Sequence, residues 1–386
     1  MNSQPKTTDL LSQLIGFNTT SRNSNLDFIE FVGAMLEPYG IKPELTFDDN
    51  KKKANLFATL GGGNQPGIVL SGHTDVVPVD GQNWSTDPFQ TEIAGDRMFG
   101  RGACDMKGFI AICLTKIEEI LAADLATPIH FAFSYDEEVG CLGVTGLLDE
   151  LKKKPVQPKA CIIGEPTSMG VIRAHKGMSF RHCCVRGKAA HSSLVDQGVN
   201  AITVAAKIIA YVDSIQQRIQ NEGPFDNEFD PPYTTLHCGV MHGGTVNNII
   251  PNQCEFEFEI RNLPNQSTLP LWAEIEAYIK TQLLPAMHAV SPDTGIDWQT
   301  LSDAPPMDTP ADDSLIPMIS RLLDSSAAPG KVSYGTEGGY FQIAGIPTII
   351  CGPGSIEQAH KPNEFIDLAQ LKKGERFITA LISSLR

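Results

Sequence analysis

The sequence lacks several features that mark whole classes of protein. No run of apolar residues approaches the ~18 that a membrane helix needs. The segment Met1–Leu10 is polar and holds no apolar core of a signal peptide, so we expect a cytoplasmic protein. Basic residues are few: 30 Lys and Arg against 45 Asp and Glu give a net charge of -15, which repels a phosphate backbone. We therefore expect neither a membrane nor a nucleic acid as a partner.

Cysteine is scarce as well. The nine cysteines are an odd number and none stands in a C-x-x-C pair. This excludes a disulfide scaffold and disfavours a structural zinc site built from thiolates. We expect reduced thiols that are packed as small hydrophobic side chains.

What the sequence does contain is typical of a folded globular protein of moderate size. It has 386 residues, of which 41% are hydrophobic and 19% are charged, so intrinsic disorder is excluded. At about 100–200 residues per domain, the length favours two domains.

Segments with helical periodicity alternate with short apolar runs along most of the chain. This alternation predicts an α/β fold, with a mostly parallel sheet that is flanked by helices. The predicted helices are 7–16, 25–38, 106–121 and 367–385, and the predicted strands are 68–71, 129–134, 160–163 and 347–351.

The middle of the chain has a different pattern. In 254–260, apolar residues alternate with three glutamates, as in an antiparallel strand with one solvated face. We predict a smaller inserted α+β domain over 177–290, and a main domain formed by 1–176 and 291–386. The predicted elements of the insertion are strands 179–186 and 234–241 and helices 198–219 and 269–284.

Acidic and histidine side chains follow the predicted strands of the main domain. Each of them alone also fits an ordinary structural role: Asp105 can cap a helix, and Glu137 with Glu138 can form a solvated loop. Together they are more informative, because parallel strands bring their carboxyl ends to one edge of a sheet. The residues are His73 and Asp75, Asp105, Glu137 and Glu138, Glu165, and His360.

Several carboxylates that meet at one edge repel one another unless cations neutralise them. Two imidazoles and several oxygens, without a thiolate, suit Zn²⁺, Co²⁺ or Mn²⁺. These candidate ligands are too many for one tetrahedral metal site, and their number matches two metals that share a carboxylate. A dinucleotide site is disfavoured, because the glycine-rich segment 60–67 precedes a strand instead of following one.

Five motifs in order resemble the M20 co-catalytic zinc metallopeptidase and deacylase family. They are SGHTDVVP at 71–78, GRGACDMKG at 100–108, EEVG at 137–140, GEPT at 164–167 and AHKPNE at 359–364. The resemblance covers essentially the whole chain. It implies an amide hydrolase with two Zn²⁺ per subunit, for which Co²⁺ can substitute, and a homodimer formed through the inserted lid domain.

The resemblance also implies roles for single residues. One metal takes His73, Asp105 and Glu165, and the other takes Asp105, Glu138 and His360. Glu137 is the general acid and base, and Asp75 orients His73. A cis peptide bond is implied between Asp105 and Met106.

The resemblance further implies residues that contact the substrate. His191 is the expected oxyanion donor, in cis or across the dimer interface, and Arg261 and Asn248 are expected at the α-carboxylate. Glu337 is a candidate to contact a cationic amine in the side chain of the substrate.

Additional segments resemble the branch that removes the acetyl group from N2-acetyl-L-ornithine, and they are 174–181, 186–193, 335–338 and 351–360. Another N-acyl-amino-acid deacylase or dipeptidase, such as one acting on succinyl-diaminopimelate, is the alternative. A metal-binding module without catalysis is disfavoured by the presence of Glu137, which is not needed as a ligand.

Overall fold

The structure is a computed structural model that describes residues 6–386. The described chain divides into two compact units. The first unit holds the chain up to Ala174 together with Met307–Lys331 and Thr336–Arg386, and the second holds His175–Pro306 and Val332–Gly335. The second unit extends beyond the predicted end of the insertion at 290, because a further strand, Gly295–Ala304, pairs along the strand Met178–Arg186.

Helices and strands alternate along much of the chain. The strands are β1 Glu44–Phe47, β2 Ala54–Leu60, β3 Ile68–His73, β4 Glu92–Ala94, β5 Arg97–Phe99, β6 Ile129–Ser134, β7 Ala160–Pro166, β8 Ile172–His175, β9 Met178–Arg186, β10 Thr235–Gly243, β11 Gln253–Arg261, β12 Gly295–Ala304, β13 Met307–Asp308, β14 Gly330–Val332, β15 Thr348–Gly352 and β16 Phe365–Asp367. The helices are α1 Thr7–Gly16, α2 Leu26–Leu36, α3 Lys107–Thr115, α4 Ile117–Ala122, α5 Val144–Lys152, α6 Ala201–Glu222, α7 Leu269–Tyr278, α8 Leu284–Val290, α9 Leu315–Leu322, α10 Gly338–Ile343 and α11 Leu368–Ser384.

The large sheet has the strand order β1-β2-β6-β3-β7-β15-β8-β13, and β14 pairs with β8. Its centre is parallel: β3 pairs in parallel with both β6 and β7, and β15 pairs in parallel with β7. The mostly parallel α/β fold predicted from the sequence is therefore confirmed. The antiparallel strands β1 and β2 were not predicted.

The core of the first unit surrounds the parallel strands. Every residue of β3, β6, β7 and β15 is buried. Helix α3 is buried along its whole length and contacts α1 and α11. The helix predicted over 106–121 is broken at Lys116, which separates α3 from α4. Helix α3 also contacts β3 and β7, two of the strands that carry residues of the site described below.

The second unit has an antiparallel sheet with the order β10-β11-β9-β12. The predicted alternation of β11 holds, since Phe256, Phe258 and Ile260 are buried in one core with residues of α6 and α7. Helix α6 begins where the Asn200 side chain accepts a hydrogen bond from the Thr203 N–H. In the described chain, no helix combines the length and apolar character that crossing a membrane requires.

Candidate metal centre

Four neighbouring parallel strands deliver charged side chains to one edge of the large sheet. In the sheet order β6-β3-β7-β15, Glu137 and Glu138 follow β6, His73 ends β3, Glu165 lies at the end of β7, and His360 follows β15. Parallel strands place their carboxyl ends together. Asp105 arrives differently, from the loop immediately before α3.

Asp105 lies between the two histidines. His73 Nε2 is 3.0 Å from Asp105 Oδ1, and His360 Nε2 is 3.3 Å from Asp105 Oδ2. Each carboxylate oxygen of Asp105 therefore faces a different imidazole. This is the arrangement that a carboxylate shared between two cations requires.

Two further carboxylates extend this arrangement, one on each side. His73 Nε2 lies 3.4 Å from Glu165 Oε1, and His360 Nε2 lies 2.9 Å from Glu138 Oε2. Ligand atoms of His73, Glu137 and Glu165 lie within 4.8 Å of one another, and so do those of His73, Asp105 and Glu138. The His73 side chain is 1% exposed whereas that of His360 is 56% exposed, so the cluster opens to solvent on the His360 side.

The crowding of carboxylates shifts their proton affinities. Burial and the neighbouring Asp105 raise the pKa of Glu138 and the pKa of Glu165 to about 7. Burial also acts on Asp105, but hydrogen bonds from His360 and His73 outweigh it and lower the pKa of Asp105. Hydrogen bonds to Asp105 and Glu138 raise the pKa of His360 to about 11. Without another cation, Glu138, Glu165 and His360 therefore hold protons more readily, whereas Asp105 stays ionised between the two histidines.

The donor set fits divalent metal ions. Glu138 Oε1 is buried and has no hydrogen-bond partner within residues 6–386, although such atoms are normally satisfied. Imidazole nitrogens and carboxylate oxygens without a thiolate suit Zn²⁺ and its neighbours in the first transition row. The described residues thus form a possible metal site of histidines and acids.

Asp75 contacts His73 through its main chain, and it contacts the turn at Glu137 and Glu138 through its carboxylate. His73 Nδ1 is 2.9 Å from the main-chain oxygen of Asp75 and 3.7 Å from its carboxylate, so the main chain makes the hydrogen bond that orients the ring. The carboxylate accepts the N–H groups of Glu137 at 3.1 Å and Glu138 at 3.3 Å, and the hydroxyl of Ser21 at 2.7 Å. The Asp75 carboxylate therefore fixes the turn that carries both glutamates.

Glu137 lies beside the cluster and is 9% exposed. Burial, reinforced by Glu165, Glu138 and Asp105, raises its pKa well above the ordinary value, against the effect of His73. The Cys141 thiol lies 3.4 Å from Glu137 Oε1. The peptide bond between Asp105 and Met106 is cis, as the resemblance implied.

The remaining predicted site residues are those expected to contact the substrate. His191, Asn248 and Arg261 belong to the second unit. His191 and Asn248 are exposed and close to each other, since the Ser192 N–H donates to the Asn248 main-chain oxygen at 3.0 Å. Arg261 Nη2 lies 3.0 Å from Glu259 Oε2.

Glu337 belongs to the first unit, directly before α10, and is 2% exposed. Burial raises its pKa to about 7, while a hydrogen bond with Ser134 and the charge of His73 act in the opposite direction. Sequence reasoning gave no role to Ser21, Cys141, Arg101 or Glu364, which hold parts of the site. Only the position of Arg101 and Glu364 inside the quoted motifs could have drawn attention to them.

Residues 69–384 match the sequence model of a protein family, Peptidase family M20/M25/M40. The chain belongs to this family. The acetylornithine deacetylase of Proteus mirabilis is 33% identical over 371 residues, covering 94% of this chain and 90% of that protein. The acetylornithine deacetylase of Photorhabdus laumondii is 32% identical over 386 residues, with 98% and 97% covered.

Solved structures share the fold at low identity. The M20 metallo-carboxypeptidase Sso-CP2 of Sulfolobus solfataricus has a TM-score of 0.78 at 16% identity and covers 98% of this chain and 99% of its own. The YXEP protein of Bacillus subtilis, described as a dinuclear metal-binding peptidase, has a TM-score of 0.65 at 14% identity, with 98% of both chains covered. Family membership and the cluster of histidines and acids together make this chain a metal-dependent amidohydrolase.

Proposed function

We propose that the protein hydrolyses N2-acetyl-L-ornithine to L-ornithine and acetate, a step of arginine biosynthesis, with two Zn²⁺ per subunit. The observation that carries the proposal is Asp105, whose two carboxylate oxygens each face a different histidine. The substrate assignment is supported by relatives named acetylornithine deacetylase, which match at 32–33% identity over most of the chain.

The two proposed metal positions share Asp105. His73 and Glu165 complete the first position, and Glu138 and His360 complete the second. When bound, the ions polarise the acyl oxygen and lower the pKa of water towards ~7. Co²⁺ can replace Zn²⁺, because the same nitrogen and oxygen donors suit both ions.

Glu137 is the proposed general base and acid. It takes a proton from the attacking water and passes it to the leaving amine of ornithine. Efficient proton transfer in both directions needs a group with a pKa near the working pH. The burial that raises the pKa of Glu137 moves it in this direction. The Asp75 carboxylate supports this role by holding the Glu137 main chain.

His191 is the proposed donor to the developing oxyanion. Its Nδ1 accepts the Ser193 N–H at 3.2 Å and lies 2.7 Å from Ser193 Oγ, so local contacts occupy Nδ1 and the proposed donor is Nε2. A donor N–H is what an oxyanion needs. Because the second unit supplies no proposed metal ligand, His191 must reach the metals by closure of its own subunit or from the other subunit. The family resemblance favours the other subunit of a homodimer that forms through this unit, and we propose that arrangement.

Three residues are proposed to bind the rest of the substrate. Arg261 and Asn248 meet the α-carboxylate through charge and an amide donor. Glu337 stabilises the ammonium group at the end of the ornithine side chain. Since burial disfavours its ionised form, an approaching cation is the partner that restores the charge of Glu337.

The test is a comparison of kcat/KM for three substrates on the metal-loaded protein: N2-acetyl-L-ornithine, N-succinyl-diaminopimelate and N-acetylmethionine. We expect acetylornithine to be preferred by at least about tenfold, the factor that one well-placed polar contact provides. A preference for succinyl-diaminopimelate or acetylmethionine would refute the substrate assignment and leave the amide hydrolase in place.

A further inference from the structure

A buried ion pair lies behind the metal cluster. Arg101 and Glu364 are each 1% exposed, and Arg101 Nη1 is 2.8 Å from Glu364 Oε2. Neither residue takes part in the proposed chemistry. A buried ion pair is costly to desolvate and is poor evidence for a gain in stability.

The Glu364 carboxylate organises the loop that carries Asp105. Its Oε2 accepts the Gly102 N–H at 3.0 Å in addition to Arg101. Its Oε1 accepts the N–H of Cys104 at 2.8 Å and the N–H of Asp105 itself at 3.0 Å. Four donors from residues 101–105 thus converge on one carboxylate, which leaves this loop little freedom.

The Arg101 guanidinium continues the network towards His360. Its Nη2 donates to Gln82 Oε1 at 2.6 Å, and Gln82 Nε2 donates to the main-chain oxygen of His360 at 2.9 Å. Arg101 Nη1 also donates to the oxygen of Lys361 at 3.3 Å. His360 has a φ of 64°, in the left-handed region, where the surroundings must hold a residue other than glycine. These contacts provide that support.

We infer that Arg101 and Glu364 are positioning residues that set the metal affinity of the position formed by Asp105, Glu138 and His360. The inference rests on the proposed function, because it requires two metal positions. The pair holds two of the three ligands of that position, Asp105 and His360. It holds only Asp105 among the ligands of the other position. Loss of the ion pair should therefore lower the affinity for the metal at this position much more than the affinity for the metal at the other position.

The experiment is a direct titration of metal-stripped protein with Zn²⁺ by calorimetry. For the wild type we expect two sites. Glu364→Gln should weaken one site about 10–100-fold, as changes in the partners of metal ligands usually do, and the other site less. The matched control is Asp367→Asn, which removes the charge of a half-exposed carboxylate paired with Arg97. This control should leave both affinities unchanged.

Circular dichroism before the titration shows whether Glu364→Gln folds without metal. If it does not fold, Gln82→Leu decides, because it removes the link from Arg101 to the His360 main chain, together with the acceptor of Trp84 Nε1, and keeps the four donors on Glu364. It should weaken the same site by a smaller factor. Folded variants with both affinities within twofold of the control would overturn the inference. If the wild type binds Zn²⁺ at a single site, the two-metal proposal itself is refuted. If Glu364→Gln leaves the affinity of that single site unchanged as well, the pair has no role in metal binding.

Discussion

The parallel sheet of the first unit and the antiparallel sheet of the second differ in how deeply their polar site residues are buried. At the edge of the parallel sheet, buried acids lie against the buried His73 and the exposed His360, and the pKa values of the acids shift as a result. On the antiparallel sheet, the proposed substrate residues are at least partly exposed, and Arg261 pairs with a glutamate of its own strand. Both groups of metal-ligand atoms among residues 6–386 belong to the first unit. In the proposed mechanism, the first unit supplies a cluster of mutually repelling charges, and the second unit supplies exposed donors.

Removal of the metals is the strongest test of this comparison. Chelation should abolish turnover, because the cluster then holds protons in place of cations. Added Zn²⁺ or Co²⁺ should restore it, as measured by release of acetate. Full activity of a preparation shown to be metal-free by elemental analysis would contradict the two-metal proposal.

Glu137→Ala separates chemistry from metal binding within the first unit. We expect unchanged metal content and a kcat lower by about 10²–10⁴-fold, the usual contribution of general acid–base catalysis. Glu150→Gln is the control, since Glu150 is an exposed carboxylate on α5 that pairs with Lys153. If metal content falls in step with kcat, Glu137 acts as a ligand instead.

His191→Ala tests whether the second unit takes part in the chemistry at all. We expect kcat to fall by about 10²–10³-fold, the cost of one oxyanion donor, with both metals retained. Mixing this variant with Glu137→Ala under conditions of subunit exchange should restore activity if His191 acts on the other subunit. One of the two sites in the mixed dimer then has both residues. A mixture that stays inactive would place His191 in its own subunit's site.

Arg261→Met should affect binding more than turnover. Loss of a charged hydrogen bond to the substrate carboxylate is expected to raise KM about 10–100-fold, with a smaller change in kcat. Arg186→Met is a matched control, because Arg186 also lies on this sheet and pairs with Asp297. Equal effects of the two substitutions would show that Arg261 serves the sheet and not the substrate.

The smallest expected effect concerns His175, a fully buried histidine of the second unit. Burial lowers its pKa to about 4, against the hydrogen bond with the Lys176 main chain. Below pH 6.5 the unfolded chain gains a proton that the folded one does not, so stability is lost as the pH falls from 6.5 towards 4. At pH 5 this loss amounts to about 2 kcal/mol.

His175→Gln should remove that part of the acid sensitivity. Urea unfolding at pH 7.5 and pH 5 can be followed by tryptophan fluorescence, since two of the three tryptophans, Trp272 and Trp298, belong to the second unit. The exposed His242 provides the control substitution His242→Gln. If both variants lose stability on acidification as steeply as the wild type, His175 is not the group responsible.

The sequence predicted those parts of the site that depend on local pattern. The apolar run before His73 identifies a buried strand, and a parallel sheet then forces its end towards those of its neighbours. The same reasoning failed for β12, whose residues alternate weakly. It could not find Ser21 next to Asp75, or Glu364 next to Cys104, because these pairs are far apart in the chain. Contacts of that kind depend on the completed fold.

The place where the second unit leaves the first has a consequence for how the chain assembles. Strands β8 and β13 are neighbours in the large sheet, and the Thr309 N–H donates to the Arg173 oxygen at 2.8 Å. In polymer terms, nearly everything between these two residues is one very long hairpin loop. Closure entropy grows only with the logarithm of loop length, so this loop costs the sheet only about 2 kcal/mol more than a turn one-tenth as long. The large sheet can therefore accommodate an entire second core between two adjacent strands.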